Sequence, residues 1–211
     1  MDDRILLNLP ADFCGEVRLF PLPDLVFFPN SIQPLHIFES RYREMFEDAI
    51  GDDQLLAMAT LLPGYEIDYY SRPPVAPEIC IGSIVRHDQN EDGTYDFLLL
   101  GLKRARIEHE IEPVRSYRRA AVQLPDEQPL GDRAEADQLA AQLAARLVVR
   151  APKLRKLLDA AIGRISLGTF TDIVAQNLNF DRSFKLELLG ESDSFVRARW
   201  LLDKLSRPAE G

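Results

Sequence analysis

The chain has 211 residues, with 25 Lys and Arg against 34 Asp and Glu and a formal net charge of -9. It is 46% hydrophobic and 28% charged, the make-up of a globular rather than a disordered protein, and its length predicts one or two domains. Two distant cysteines, Cys14 and Cys80, exclude a disulfide-rich scaffold and a four-cysteine zinc site, and the acidity argues against a general nucleic-acid binder.

The first half reads as β-structure with one short helix. Val17 to Phe20 is a short strand closed by Pro21 and Pro23. Leu25 to Phe28 is apolar and is closed by Pro29-Asn30-Ser31. Ile32 to Phe38 is extended again, and Pro34 restricts it to a sheet edge or an irregular position. Ser40 is the expected N-cap of a helix over 41–50, whose apolar face is Tyr42, Met45, Phe46, Ala49 and Ile50. Gln54 to Leu62 is a strongly apolar strand stopped by Pro63-Gly64. Residues 63–77 form a loop rich in tyrosine and proline. Ile79 to His87 and Thr94 to Leu100 are joined across Asp92-Gly93, a hairpin signal. Gly101 is placed to kink or bulge the sheet before Arg104 to Ile111 continues it, and Tyr117 to Leu124 is the last β-run.

Residues 125–132 read as a linker, with 1–124 as one domain and 133–211 as another. Beyond the linker the apolar period becomes 3.6 residues. Leu139, Leu143 and Leu147 stack at i, i+4 and i+8. Pro152 breaks the pattern, and Leu154 to Ile165 traces a second stripe. A third helix begins near Gly168-Thr169. Asp181 caps a fourth that ends at Gly190, and Asp193 or Ser194 caps a fifth. Charge changes at the same place. Residues 1–132 hold 12 basic and 24 acidic side chains, a net of -12, whereas 133–206 hold 12 and 9, a net of +3.

Little in the chain points to catalysis. No phosphate loop, dinucleotide fingerprint, His-Glu-x-x-His or nucleophile elbow is present. His36, His87 and His109 have no ligand spacing, so no metal and no cofactor are expected. Cys80 lies in an apolar β-run, where a thiol is inert. His36, Glu39 and Arg41 read as residues that fix the start of the first helix by hydrogen bonds and an ion pair. A basic stripe at Arg146, Arg150, Lys153, Arg155, Lys156 and Arg164 reads as a solvated helix face; residues 139–169 hold no aromatics to interleave with it for nucleic acid. No segment approaches the roughly 20 apolar residues of a bilayer span. The acidic opening Met1-Asp2-Asp3-Arg4 is not a signal peptide, and a cytoplasmic protein without membrane contact is expected.

Residues 17–50 carry a specific pattern. Phe20-Pro21-Leu22-Pro23, Val26-Phe27-Phe28-Pro29, Pro34-Leu35-His36-Ile37-Phe38-Glu39 and Arg41-Tyr42 with Met45 closely resemble the opening of the Lon protease N-terminal domain. Ile81-Gly82-Ser83-Ile84 is similar to that family's strand with an inner glycine. Asp92-Gly93 followed by Leu99 to Arg106, which contains Gly101 and Arg104, resembles its next segment. Lys185 to Leu189 and Val196 to Leu205 resemble its closing helices. The resemblance covers roughly 17–205 and implies an α+β fold: a compact, PUA-like β-barrel with one helix, then a C-terminal α-helical bundle. In place of the family's frequent Pro-Gly turn stands Pro29-Asn30, and Asn tolerates the left-handed geometry. The ATPase module and Ser-Lys protease of full-length Lon have no counterpart before Gly211, nor do the zinc-binding cysteines of cereblon, which shares the barrel. The resemblance therefore implies a stand-alone, non-catalytic module that binds unfolded or tagged polypeptide segments. Phe27, Phe28, Tyr65, Tyr69 and Tyr70 are the expected contact residues. The alternative is an adaptor that docks a separate protease or chaperone. RNA binding by the barrel is disfavoured by its net of -12.

Overall fold

Residues 8–112, 114–126, 131–150 and 164–206 are described by the structure, a computed structural model. Alternating and β-branched stretches build six strands: β1 (Glu16–Leu22), β2 (Ile32–Ile37), β3 (Leu55–Thr60), β4 (Glu78–Gln89), β5 (Tyr95–Ile111) and β6 (Arg118–Gln123). They form one mixed sheet in the order β2-β5-β4-β3-β1-β6, and β5 also pairs with β6. The pairings thus run in a closed cycle through β5, β4, β3, β1 and β6, with β2 attached outside it to β5 alone. β1 and β3 run parallel; every other pair is antiparallel.

Two apolar layers hold this unit together. One gathers Val17, Leu19, Leu55, Ala57, Ile79, Ile81, Ala105, Ala120 and Val122 from the five cyclic strands. The other forms under helix α1 (Ser40–Ile50), where Phe46 packs against Tyr95, Phe97 and His87. Of the predicted face the helix buries Tyr42, Met45, Phe46 and Ala49 and leaves Ile50 half-buried. Its N-cap is Glu39 rather than the expected Ser40, and no side chain caps it. The Glu39 carboxylate is engaged by Arg41 and Tyr69 instead.

Several expectations change in three dimensions. Leu25 to Phe28 has no regular secondary structure; Val26, Phe27 and Phe28 are buried and Leu25 is half-buried. Asn30 adopts the left-handed conformation its turn requires, with φ 60°. β5 runs unbroken through Gly101 for 17 residues, and the bulge expected there is present: Ile81 pairs with Lys103 and Gly82 with Gly101, which leaves Leu102 as the extra residue on β5. A Cβ on Gly101 would stand 2.3 Å from the Phe28 carbonyl oxygen, so the close passage of Phe28 demands glycine there.

The chain divides into two units, one of residues 1–125 with 180–190, the other of 126–179 with 191–211. The expected division at 125–132 had placed all of 133–211 in the helical half. In the structure α4 (Arg182–Gly190) packs on β4 and β5. Arg104 donates from Nε to the Leu189 carbonyl at 3.1 Å, and Arg182 pairs with Asp24 at 2.8 Å. Asp181 caps α4 through the Phe184 amide, as expected.

The second unit contains α2 (Arg133–Arg150), α3 (Leu167–Asn177) and α5 (Ser194–Ser206), which pack on one another. Leu139, Leu143 and Leu147 are buried, as their spacing predicts. α3 begins slightly earlier than expected, because Ser166 accepts the Thr169 amide at 3.0 Å. Asp193 caps α5. The expected helix over Leu154 to Ile165 and most of the basic stripe lie outside the described residues.

Candidate polypeptide-binding edge

β2 is the terminal strand of the sheet, and its outer edge has no strand beside it among the described residues. The Gly101 amide donates to the Ser31 carbonyl at 2.8 Å. Continued along the register, that bond makes Gln33, Leu35 and Ile37 the residues that exchange backbone hydrogen bonds with β5. The backbone polar groups of Ile32, Pro34 and His36 consequently face away. Pro34 has no N–H to lose, so it sits where an edge strand tolerates proline. It leaves Ile32 and His36 as the outward amide donors, a short and interrupted template that limits uncontrolled strand pairing.

Side-chain exposure follows the same alternation. Gln33, Leu35 and Ile37 turn inward, whereas Ile32, Pro34 and His36 are exposed. Ile32 is 58% exposed and Phe38, just past the strand, is 65% exposed. His36 and Phe38 stack with ring centroids 6.1 Å apart. His36 Nδ1 donates to Asp96 at 2.9 Å rather than joining Glu39 and Arg41 at the helix start.

The tyrosine loop reaches the same end of the strand. Residues Tyr65–Asp68 form a single 3-10 turn. Tyr69 donates from its hydroxyl to Glu39 at 2.7 Å, and the Arg41 guanidinium lies over the rings of both Tyr42 and Tyr69. Burial, and then the hydrogen bond to Glu39, push the Tyr69 phenol above its ordinary value. Tyr65 and Tyr70 each meet Tyr69 edge-on. Tyr65 and Tyr69 are partly covered by these contacts, while Tyr70 is 87% and Ile67 92% exposed.

Of the five expected contact residues, Phe27 and Phe28 are corrected: they are 1% and 0% exposed and belong to the core. Their neighbour β5 carries glycine where Phe28 passes, which lets the segment sink inward. Ile32, Phe38 and Ile67 are the exposed apolar residues that sequence reasoning missed. The period-two alternation from Ile32 through Pro34 and His36 to Phe38 was the available signal, since Pro34 marks the outward set. Pro21 and Pro29 are buried beside the core, Tyr42 is buried against Phe20, and Gly82 brings β4 against Leu99.

Comparison with known proteins agrees with this fold. The chain is 24% identical over its whole length to a Lon protease of Anaeromyxobacter dehalogenans, and 24% identical over 91% of its length to Lon protease 2 of Myxococcus xanthus. It spans about a quarter of the length of these relatives. The N-terminal domain of a Mycobacterium avium complex Lon protease superposes with a TM-score of 0.70 at 18% identity, covering 90% of this chain and 98% of that one. A Lon N-terminal domain protein from Xanthomonas campestris gives 0.65 at 23% identity, covering 89% and 97%. The profile described as the ATP-dependent protease La (LON) substrate-binding domain matches residues 16–207. With nearly the whole chain matched, the protein belongs to the Lon substrate-binding domain family.

Proposed function

We propose that this domain recognises unfolded or extended polypeptide segments by binding them along β2, without bond-making chemistry of its own. Membership of a substrate-binding family supports the reading, and one observation carries it: among the described residues no strand covers the outer edge of β2, which is flanked by exposed Ile32 and Phe38. An incoming extended chain gains main-chain hydrogen bonds from Ile32 and His36 and buries apolar side chains on Ile32, Phe38, Ile67 and Tyr70. The interrupted edge keeps such pairing short, which suits release as well as capture. The closed strand cycle supports describing the first unit as a small barrel that holds this edge rigid.

The test is a titration with a fluorescently labelled, permanently unfolded polypeptide. Binding by the full chain is expected, and Phe38→Ala and Ile32→Ser each weaken it about fivefold or more if they line the contact centre. Absence of binding, with a working control domain alongside, overturns the proposal. Undiminished binding by both variants removes β2 as its site.

A further inference from the structure

The outer edge of β2 offers hydrogen-bonding groups in unequal numbers. β2 and β5 keep an unbroken register from Ile32 opposite Leu100 to Ile37 opposite Tyr95. The alternation is anchored at its start, where the Asn30 amide donates to the Gly101 carbonyl and the Gly101 amide to the Ser31 carbonyl, both at 2.8 Å. Asn30 is left-handed, so it and Ser31 form a bulge opposite Gly101. With no later shift, the outward backbone groups belong to Ile32, Pro34 and His36. They present a carbonyl each, but only Ile32 and His36 present an amide, because proline carries no N–H.

An extended segment laid antiparallel along this edge places its first, third and fifth residues opposite His36, Pro34 and Ile32. The first and the fifth each exchange a pair of hydrogen bonds with their partner. The third donates its amide to the Pro34 carbonyl and finds no donor for its own carbonyl. The segment therefore gives an amide at every alternate residue, while only its outer carbonyls are accepted. A parallel segment spends roughly seven residues on the same bonds, and each further residue ordered costs conformational entropy. A second copy of β2 fits less well than a foreign segment. Pairing two copies symmetrically about Pro34 sets each Pro34 carbonyl against the other copy's proline ring, with no donor between them.

We propose that Pro34 makes β2 an edge that selects foreign segments by their backbone amides: the bound segment runs antiparallel, supplies N–H groups at its first, third and fifth residues, and accepts proline only at the second and fourth. The inference rests on the reading of β2 as a polypeptide-binding edge. The amides of the second and fourth residues point away from β2 into solvent, so a proline there loses no bond. Such a proline also holds the residue before it extended, which lowers the cost of ordering the segment. A proline at the first, third or fifth residue removes a donor and leaves a β2 carbonyl unpaired. Pro34 itself withholds the donor that the third carbonyl needs, so the edge holds its segment by one hydrogen bond fewer than a regular strand and releases it more readily. Pro34 is in this sense a specificity-determining residue.

The experiment measures fluorescence anisotropy of a labelled, end-capped five-residue peptide of alternating valine and threonine, valine first, against the full chain. N-methylation of the first, third or fifth residue is expected to weaken binding about fivefold each, the loss of one hydrogen bond, and N-methylation of the second or fourth to change it by less than about twofold. An alkene in place of the peptide bond between the third and fourth residues removes the unpaired carbonyl and a solvent-facing amide. Wild-type affinity for that peptide is expected to be unchanged or tighter. Pro34→Ala supplies the missing donor without touching a bond to β5, so it binds the parent peptide about fivefold tighter and loses that gain with the alkene peptide. A general effect on the strand would not depend on that one carbonyl. The N-methyl and alkene series on the wild-type chain decide the proposal even where Pro34→Ala fails to fold. Equal losses at all five N-methyl positions overturn the amide selection, and a wild-type loss of about fivefold with the alkene peptide overturns the role of Pro34; both results leave the binding edge standing. Binding of no peptide overturns the edge reading and the selection together.

Discussion

The strand unit and the helical unit use charge in opposite ways. In the helical unit, Arg197 and Asp172 lie 3.6 Å apart and both side chains are almost wholly buried. Arg197 also donates to Thr171 Oγ1 and to the Glu191, Ser192 and Gly168 carbonyls, tying α5 to the start of α3. In the strand unit the core is apolar and the charges stand at the surface. Even Arg118, its most buried guanidinium, pairs with a part-exposed Glu110. A sealed pair cannot change partners, so it specifies packing. An exposed carboxylate keeps its contact with water, as those of Asp88 and Asp96 do on β4 and β5.

The comparison can be broken most severely at two core positions. Phe28→Ala is expected to destabilise the strand unit by about 3–5 kcal/mol, since a wholly buried ring is lost from a close-packed layer. Asp172→Ala is expected to cost about 3–5 kcal/mol in the helical unit, because it leaves Arg197 charged and uncompensated in the interior. Chemical denaturation followed separately by near-UV signal and helical circular dichroism distinguishes the two losses. A cost under about 1 kcal/mol for Asp172→Ala shows that the pair is not sealed as described.

Alkaline titration separates the units by a smaller effect. Tyr42, Tyr69, Tyr95 and Tyr117, all in the strand unit, are raised above the ordinary phenol value of 10.0, in each case first by burial. Glu39, Glu47 and Asp48 accept hydrogen bonds from the last three. A phenol whose folded pKa is raised adds stability that is fully present below pH 10 and is lost as pH rises through the folded values. Stability of the strand unit is therefore expected to fall above pH 10, with tyrosinate absorbance appearing late for these four. A titration in which every tyrosine ionises together near pH 10 contradicts this placement. The smallest stability effect belongs to the surface. Phe38→Ala is expected to change folding by no more than about 0.5 kcal/mol, against the roughly fivefold loss of polypeptide binding expected under the proposed function. A large folding loss would mean that Phe38 is part of the core.

Much of the architecture could be read from local sequence. Alternation, turn chemistry and the shift to a 3.6-residue period located five of the six strands closely, along with α1 and the caps of α4 and α5, because these patterns depend on neighbours a few residues apart. Pro34 announced an edge strand for the same reason, since a missing N–H is tolerated only where no partner is lost. The tyrosine loop reads from sequence as a candidate contact; in the structure Tyr70 is exposed, while Tyr65 and Tyr69 are half-buried.

Tertiary structure alone decided which aromatics are available. Phe27-Phe28 and Phe38 have the same hydrophobicity, yet the first pair is buried and the last is exposed. The reason is a close passage over Gly101, some seventy residues away, which no local pattern encodes. The membership of α4 in the strand unit likewise depends on Arg104 and Arg182, whose partners are distant in sequence. The same holds for the pairing of Asp88 with Asp96, which only the strand register creates. The net charge of -9 indicated that the protein is acidic; the fold determined that two of these carboxylates, Asp88 and Asp96, stand opposite one another on β4 and β5.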